Sequence, residues 1–200
     1  MRQHALAHDP VFTDRVSADR YSREQRKVFR WMHPPIIQAL KQSGFARGRI
    51  LDDGCGPGYH SVGLKQAFPE SDIIGIDLSE PMLDTAQQHR EKAGITEGIT
   101  FQSGSVLDIP FADKSFDAVI CIFMFHLMED PAVLCNEIER VLKPEGQAVI
   151  IDLRRNFLLS FVEAEMRSAY TLREALNVVG QSILRPVRTK QTPIWWRLSC

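Results

Sequence analysis

The centre of the chain switches repeatedly between two hydrophobic periods. Arg49–Asp53, Asp72–Asp77 ("DIIGID"), Ile99–Gln102, Phe116–Ile122 ("FDAVICI") and Gln147–Leu153 are short apolar runs rich in branched aliphatics, the pattern of buried strands. Helical spacing fills the gaps between them. One helix covers His60–Ala67. A second opens with Ser79 as its N-cap, Glu80 and Pro81 in its first turn, and closes at Gly94. A third starts at Asp130-Pro131, carries Val133, Leu134, Ile138, Val141 and Leu142 as its apolar stripe, and is expected to end at Pro144 and Gly146. Strands alternating with helices predict right-handed crossovers and a mostly parallel sheet covered on both faces.

The rhythm breaks towards the end of the sequence. Phe157–Val179 reads as helical, and Ser182–Lys190 and Ile194–Ser199 read as strands joined by only "QTP". Three residues cannot hold a crossover helix, so these strands must pair antiparallel. The expectation is one domain over residues 1–200. Residues 1–47 form a helical extension, 48–153 the core, and 154–200 lid helices followed by a terminal hairpin. In the last strand Trp195 and Trp196 must point to opposite faces, which predicts one in the core and the other free for a surface or partner contact.

Composition alters this picture little. A chain of 200 residues with 44% hydrophobic and 24% charged residues is that of an ordinary globular domain. The first residues lack the apolar core of a secretory signal, and the longest apolar run, Ala118–Phe125, is too short to cross a bilayer. Cys55, Cys121, Cys135 and Cys200 are scattered, without metal-ligand spacing, which predicts reduced thiols and a cytoplasmic location. No membrane or nucleic-acid partner is expected. Charge does change the picture. Residues 48–150 hold 7 Lys/Arg against 17 Asp/Glu, while residues 1–47 hold 9 against 4 and residues 151–200 hold 8 against 4. Basic flanks around an acidic core are either solvated helix faces or the walls of a pocket for an anionic substrate.

The chemistry concentrates in "ILDDGCGPGYHS", residues 50–61. Gly54, Gly56 and Gly58 follow a strand and precede a helix, at the carboxyl edge where open α/β sheets bind ligands. A dinucleotide fingerprint would place a small residue at position 59, which is Tyr59, and would not set Asp52 and Asp53 against a pyrophosphate. A ligand with positive groups at that end suits the loop better. S-adenosylmethionine, with its sulfonium, ammonium and no phosphate, is such a ligand, and Asp52 is the expected anchor for its cationic end. Asp77, ending the second strand, is placed to accept both ribose hydroxyls. Leu78 and Met82 are placed to cover the adenine, and Ser105 and Val106 to meet its edge. Cys55 lies within the loop. Tyr21 on the N-terminal stretch is a candidate cover for the cofactor, as is Trp31. His126, after the fourth strand, is the candidate general base, with a packing or hydrogen-bonding role as its alternative.

The stretches "ILDDGCGPG", "IIGIDLSEPML", "LDIPFADKSFDAVI" and "EIERVLKPEGQAVIID" resemble the successive motifs of class I S-adenosylmethionine-dependent methyltransferases, in order and spacing. The likeness runs over residues 45–155 and is greatest to the branch that methylates small molecules, including quinone precursors. It implies a Rossmann-like seven-stranded sheet ordered 3-2-1-4-5-7-6 with the last strand antiparallel. It also implies Asp52 and the glycines beside the methionine part, Asp77 on the ribose, and a contact from Phe123–His126. Three positions depart from the family pattern: Ser105 stands where an acid often reads the adenine amino group, Asp53 replaces an apolar residue, and Glu145 replaces a glycine. The implied activity is methyl transfer by in-line displacement to a small-molecule acceptor, an anionic one among the candidates, by a monomer or homodimer without a metal. A non-catalytic cofactor-binding protein and a nicotinamide-dependent oxidoreductase are the rival readings.

Overall fold

A computed structural model describes residues 12–155 and 169–200. Seven strands form one sheet in the order β3-β2-β1-β4-β5-β7-β6. In chain order they are β1 (Arg49–Asp53), β2 (Asp72–Asp77), β3 (Ile99–Ser103), β4 (Phe116–Ile122), β5 (Leu142–Leu153), β6 (Arg188–Gln191) and β7 (Trp195–Ser199). The pairings from β3 through β5 are parallel, and β7 runs antiparallel to both its neighbours, as the short connection requires. Among the described residues, five α-helices accompany the sheet: α1 (Arg15–Gln42), α2 (Tyr59–Ala67), α3 (Glu80–Lys92), α4 (Pro131–Val141) and α5 (Leu172–Val179).

Alternation along the strands divides the core into two layers. Ile50 joins Met32, Ile36, Leu40, Leu64 and Phe68 on the side of α1 and α2. Leu51 joins Leu134, Ile138, Val141, Ala175 and Val179 on the side of α4 and α5. Trp195 lies in the first layer and Trp196 in the second, so neither tryptophan is left for a surface contact. Helices cover both faces of β7.

The helix starts follow their cap chemistry. Asp14, Ser79 and Asp130 each accept from a backbone N–H of the first turn of α1, α3 and α4. Two boundaries differ from expectation. Helix α4 ends at Val141, not at Pro144, because Leu142 already pairs with Phe116; the register then shifts and resumes at Ala118 opposite Gln147. Strand β6 begins only at Arg188. Before it, Ser182 closes the end of α5 through its hydroxyl and Val179 O, and Pro186 has no N–H for a ladder. Of the helical stretch expected over 157–179, residues 156–168 lie outside the described residues, as do residues 1–11 of the extension.

Asp53, which stands where the family pattern has an apolar residue, is buried like one. It is 0% exposed, and neither carboxylate oxygen has a hydrogen-bond partner. Burial, reinforced by the negative charges of Asp52, Glu137 and Asp77, pushes its carboxyl well above the usual range. An acid raised in the folded state contributes stability that is whole below its unfolded pKa of about 4 and is lost as pH rises through the folded value. Asp53→Asn keeps the shape and removes the ionisation. The parent should therefore lose stability between pH 5 and pH 8, and the variant should lose about 1–3 kcal/mol less over that span. Denaturant melts across the pH series check this; parallel curves would contradict it.

Candidate active site

Parallel pairing of β1 between β2 and β4 gathers three strand ends at one edge of the sheet. The turns that follow them enclose a cavity of about 950 Å³, its open mouth included. Its wall contains Gly54, Cys55, Gly56, Asp77, Leu78, Met82, Ser105, Val106, Phe123 and Tyr21, as the sequence pattern places them.

The glycine loop is bound tightly to its neighbours. Gly54 N and Cys55 N donate to Ile76 O, Gly58 N donates to Cys55 O, and Gly56 N donates to the Asp77 carboxylate at 2.9 Å. Pro57 has no N–H. The loop thus offers none of the free amides that a pyrophosphate requires. The glycines serve other needs. Gly56 has φ +49 and open space where a Cβ would stand, whereas a Cβ on Gly58 would lie 2.7 Å from Ala86 Cβ and 2.9 Å from Phe101 Cζ. Gly56 opens the cavity; Gly58 lets α2 and α3 approach.

Asp77 is the hub of this end. One oxygen accepts from Gly56 N and the other from Ser79 N, each at 2.9 Å. Burial raises its pKa, and the backbone donors oppose that rise. Ser79 in turn donates its hydroxyl to Phe12 O and fixes the start of the aromatic cover.

Asp52 and Gly58 stand behind the cavity wall. The Ser61 hydroxyl donates to Asp52 at 2.5 Å, so this carboxylate holds the first turn of α2 and does not face the cavity directly, as an anchor would. Burial raises its pKa to about 7, against the lowering effect of Ser61. A cation in front of the loop would favour the ionised forms of Asp52 and Asp77, whose charge burial otherwise disfavours.

His126 lies in the 3-10 turn Phe125–Leu127 and is also set back from the cavity. Its Nδ1 lies 2.7 Å from Asp152, which also accepts from the backbone N–H groups of His126 and Leu153. The Nδ1–H of the ring is therefore the donor to the carboxylate. This bracing holds the turn in which Phe123 adopts φ 60, an uncommon conformation for a bulky residue. Trp31 packs edge-on against Trp195, far from the cover it was expected to form.

Sequence reasoning passed over much of the cavity's apolar end. Phe12, Phe29, His60, Ile122, Met124 and Leu127 line it together with Tyr21 and Phe123. Phe12 stacks near Tyr21 at 4.9 Å, and Tyr21 meets Phe29 edge-on at 6.0 Å. The spacing of Tyr21 and Phe29, eight residues apart on one face of α1, is the signal that could have found this cover.

A family described as a methyltransferase domain matches residues 51–150. The chain is 37% identical to a demethylmenaquinone methyltransferase of Deinococcus radiodurans over 123 residues, 61% of this chain and 48% of that protein. It is 35% identical to the biotin biosynthesis bifunctional protein BioHC of Teredinibacter turnerae over 190 residues, 88% of this chain and 33% of that protein. The chain therefore spans between a third and a half of the length of these curated relatives. Among solved structures, a SAM-dependent methyltransferase from Aquifex aeolicus superposes with a TM-score of 0.76 at 21% identity, covering 94% of this chain and 98% of that one. That likeness is one of fold.

The loop geometry predicts opposite behaviour for two neighbouring glycines. Gly56→Ala meets open space and pays only for its left-handed backbone, so it should cost about 1 kcal/mol. Gly58→Ala adds a backbone-level clash to the same strain and should cost at least twice as much. Thermal or denaturant melts of the two variants check the order, and equal losses would contradict it.

Proposed function

The chain belongs to the methyltransferase-domain family, in its class I S-adenosylmethionine-dependent form, and on that premise we propose that it transfers a methyl group from S-adenosylmethionine to a small organic acceptor. The observation that carries this reading is one continuous cavity whose wall holds both the Asp77 carboxylate and the aromatic side chains Phe12, Tyr21, Phe29 and Phe123.

The residues present suit that cofactor. Asp77 has one backbone donor on each oxygen and keeps lone pairs for a pair of ribose hydroxyls. Leu78 and Met82 offer apolar surface for the adenine, and Gly56 leaves room for the methionine part. Ser105 accepts from Leu107 N and holds the loop at the adenine edge. Bound in this cavity, S-adenosylmethionine supplies a methyl group already activated on a sulfonium sulfur.

The protein's share is then to hold, align and enclose. Phe12, Tyr21, Phe29 and Phe123 supply the aromatic part of the cavity wall. The role we assign to His126 is positioning: with Asp152 it fixes the turn that presents Phe123. Among the described residues, no lysine or arginine lines the cavity, which supports a neutral acceptor over an anionic one. Demethylmenaquinone, which the Deinococcus and Staphylococcus aureus relatives are named for, is an acceptor of the class that this apolar end would admit. Among the described residues, no helix is long and apolar enough to cross a membrane.

Calorimetry and a methyl-transfer assay with labelled cofactor test this function. S-adenosylmethionine and S-adenosylhomocysteine should bind, nicotinamide dinucleotides should not, and label should pass to neutral phenols or quinols in preference to carboxylates. Tighter binding of a dinucleotide would overturn the reading. Asp77→Ala removes the ribose acceptor, and a hydrogen bond to a charged group is worth roughly 1.5–3 kcal/mol. The variant should bind S-adenosylhomocysteine about ten- to a hundredfold more weakly. It should also melt earlier, because Gly56 N and Ser79 N lose their shared acceptor.

A further inference from the structure

The cavity wall holds a histidine whose two ring nitrogens are closed off from solvent and have no hydrogen-bond partner among the described residues. His60, in the first turn of α2, is 4% exposed and lines the cavity beside Phe29. Its ring meets Phe29 edge-on at 5.4 Å and His33 at 5.3 Å. Neither Nδ1 nor Nε2 has a hydrogen-bond partner. A histidine buried for packing alone ordinarily satisfies at least one nitrogen, because an orphaned polar atom in an apolar setting costs free energy. The nearby His89 follows that rule, with Nδ1 2.7 Å from Pro57 O. His60 does not, and it is the histidine in the cavity wall.

From these observations we propose that His60 recognises the methyl acceptor, its imidazole turning about the Cβ–Cγ bond to bring a nitrogen into the cavity and exchange a hydrogen bond with a hydroxyl or carbonyl oxygen on an otherwise apolar, ring-shaped molecule. The proposal rests on the methyl-transfer reading and deepens it. Three features define the ligand. The flanking side chains Phe12, Tyr21, Phe29 and Phe123 are aromatic and suit a flat ring. Burial, with a smaller contribution from His33, lowers the His60 pKa to about 3, so the ring is neutral at working pH and offers one donor and one acceptor. Such a weak base does not abstract a proton; it selects and orients an oxygen. Neutral imidazole also gives no electrostatic reason to prefer a carboxylate or phosphate.

The test uses 1-naphthol and naphthalene, which differ by one hydroxyl, and protein saturated with S-adenosylhomocysteine. Affinities are read by nuclear magnetic resonance titration, with ¹⁵N-labelled histidine to follow the His60 ring. The parent should bind 1-naphthol about tenfold or more tightly than naphthalene, and the His60 nitrogen signals should shift on binding. His60→Phe should abolish that preference, whereas His60→Gln, a neutral donor and acceptor, should restore part of it. The S-adenosylhomocysteine affinity of each variant is measured alongside, and naphthol and naphthalene are compared in each protein only at saturation with it. An undiminished naphthol preference in His60→Phe, or unmoved His60 signals in the parent, would overturn this proposal and leave the cofactor reading intact. Failure of S-adenosylhomocysteine to bind the parent would overturn both.

Discussion

One carboxylate ties the site together. Asp77 joins the glycine loop after β1 to the helix start after β2 by accepting Gly56 N on one oxygen and Ser79 N on the other. Ser79 passes the constraint on through its hydroxyl to Phe12, so the aromatic cover is fixed to the same point. The parallel register of β1 and β2 places Asp77 just beyond the pairing of Asp53 with Ile76, within reach of the loop. Beside the bonds of Gly54 N and Cys55 N to Ile76 O, that bond carries the connection on from the end of β2 to the start of α3.

The same bond explains how a glycine loop comes to serve a ligand without phosphate. In a phosphate-binding loop the backbone amides point outward and wait for an anion. Here Ile76, Asp77 and Cys55 take them, and three buried acids stand behind them. All three acids have raised pKa values, with burial as the main cause. A sulfonium and an ammonium in front of such a loop would relieve part of that cost, whereas a pyrophosphate would add to it.

Most of this was legible in the sequence for a physical reason. Strand and helix periods, caps at Ser79 and Asp130, and the short "QTP" turn are local signals that give the elements and the antiparallel terminal pair, whereas the order of the seven strands followed from the resemblance to the methyltransferase motifs. Cavity residues that immediately follow a strand, such as Gly54, Asp77, Ser105 and Phe123, could be read in the same way, because their position comes with the fold. Residues away from the strand ends were harder to place. The spacing of Tyr21 and Phe29 marks a face of α1, but that this face meets the cavity, with His60 beside it, depends on the packing of α1 on α2, a contact between distant segments. Asp52 misled because its partner Ser61 sits on the following helix: strand alternation alone cannot tell a carboxylate facing a ligand from one that holds a helix turn. The burial of Asp53 was likewise invisible, since an acid in a loop motif ordinarily reads as exposed.

The most direct test of the account is a crystal structure of the protein with S-adenosylhomocysteine. The ribose hydroxyls should lie within about 3.2 Å of the Asp77 carboxylate, the distance of a hydrogen bond. The adenine should lie between Leu78 and Val106, and the sulfur should face the end enclosed by Phe29, His60 and Phe123. Density for the nucleoside elsewhere, or a ribose turned away from Asp77 with the sulfur directed to solvent, would contradict it.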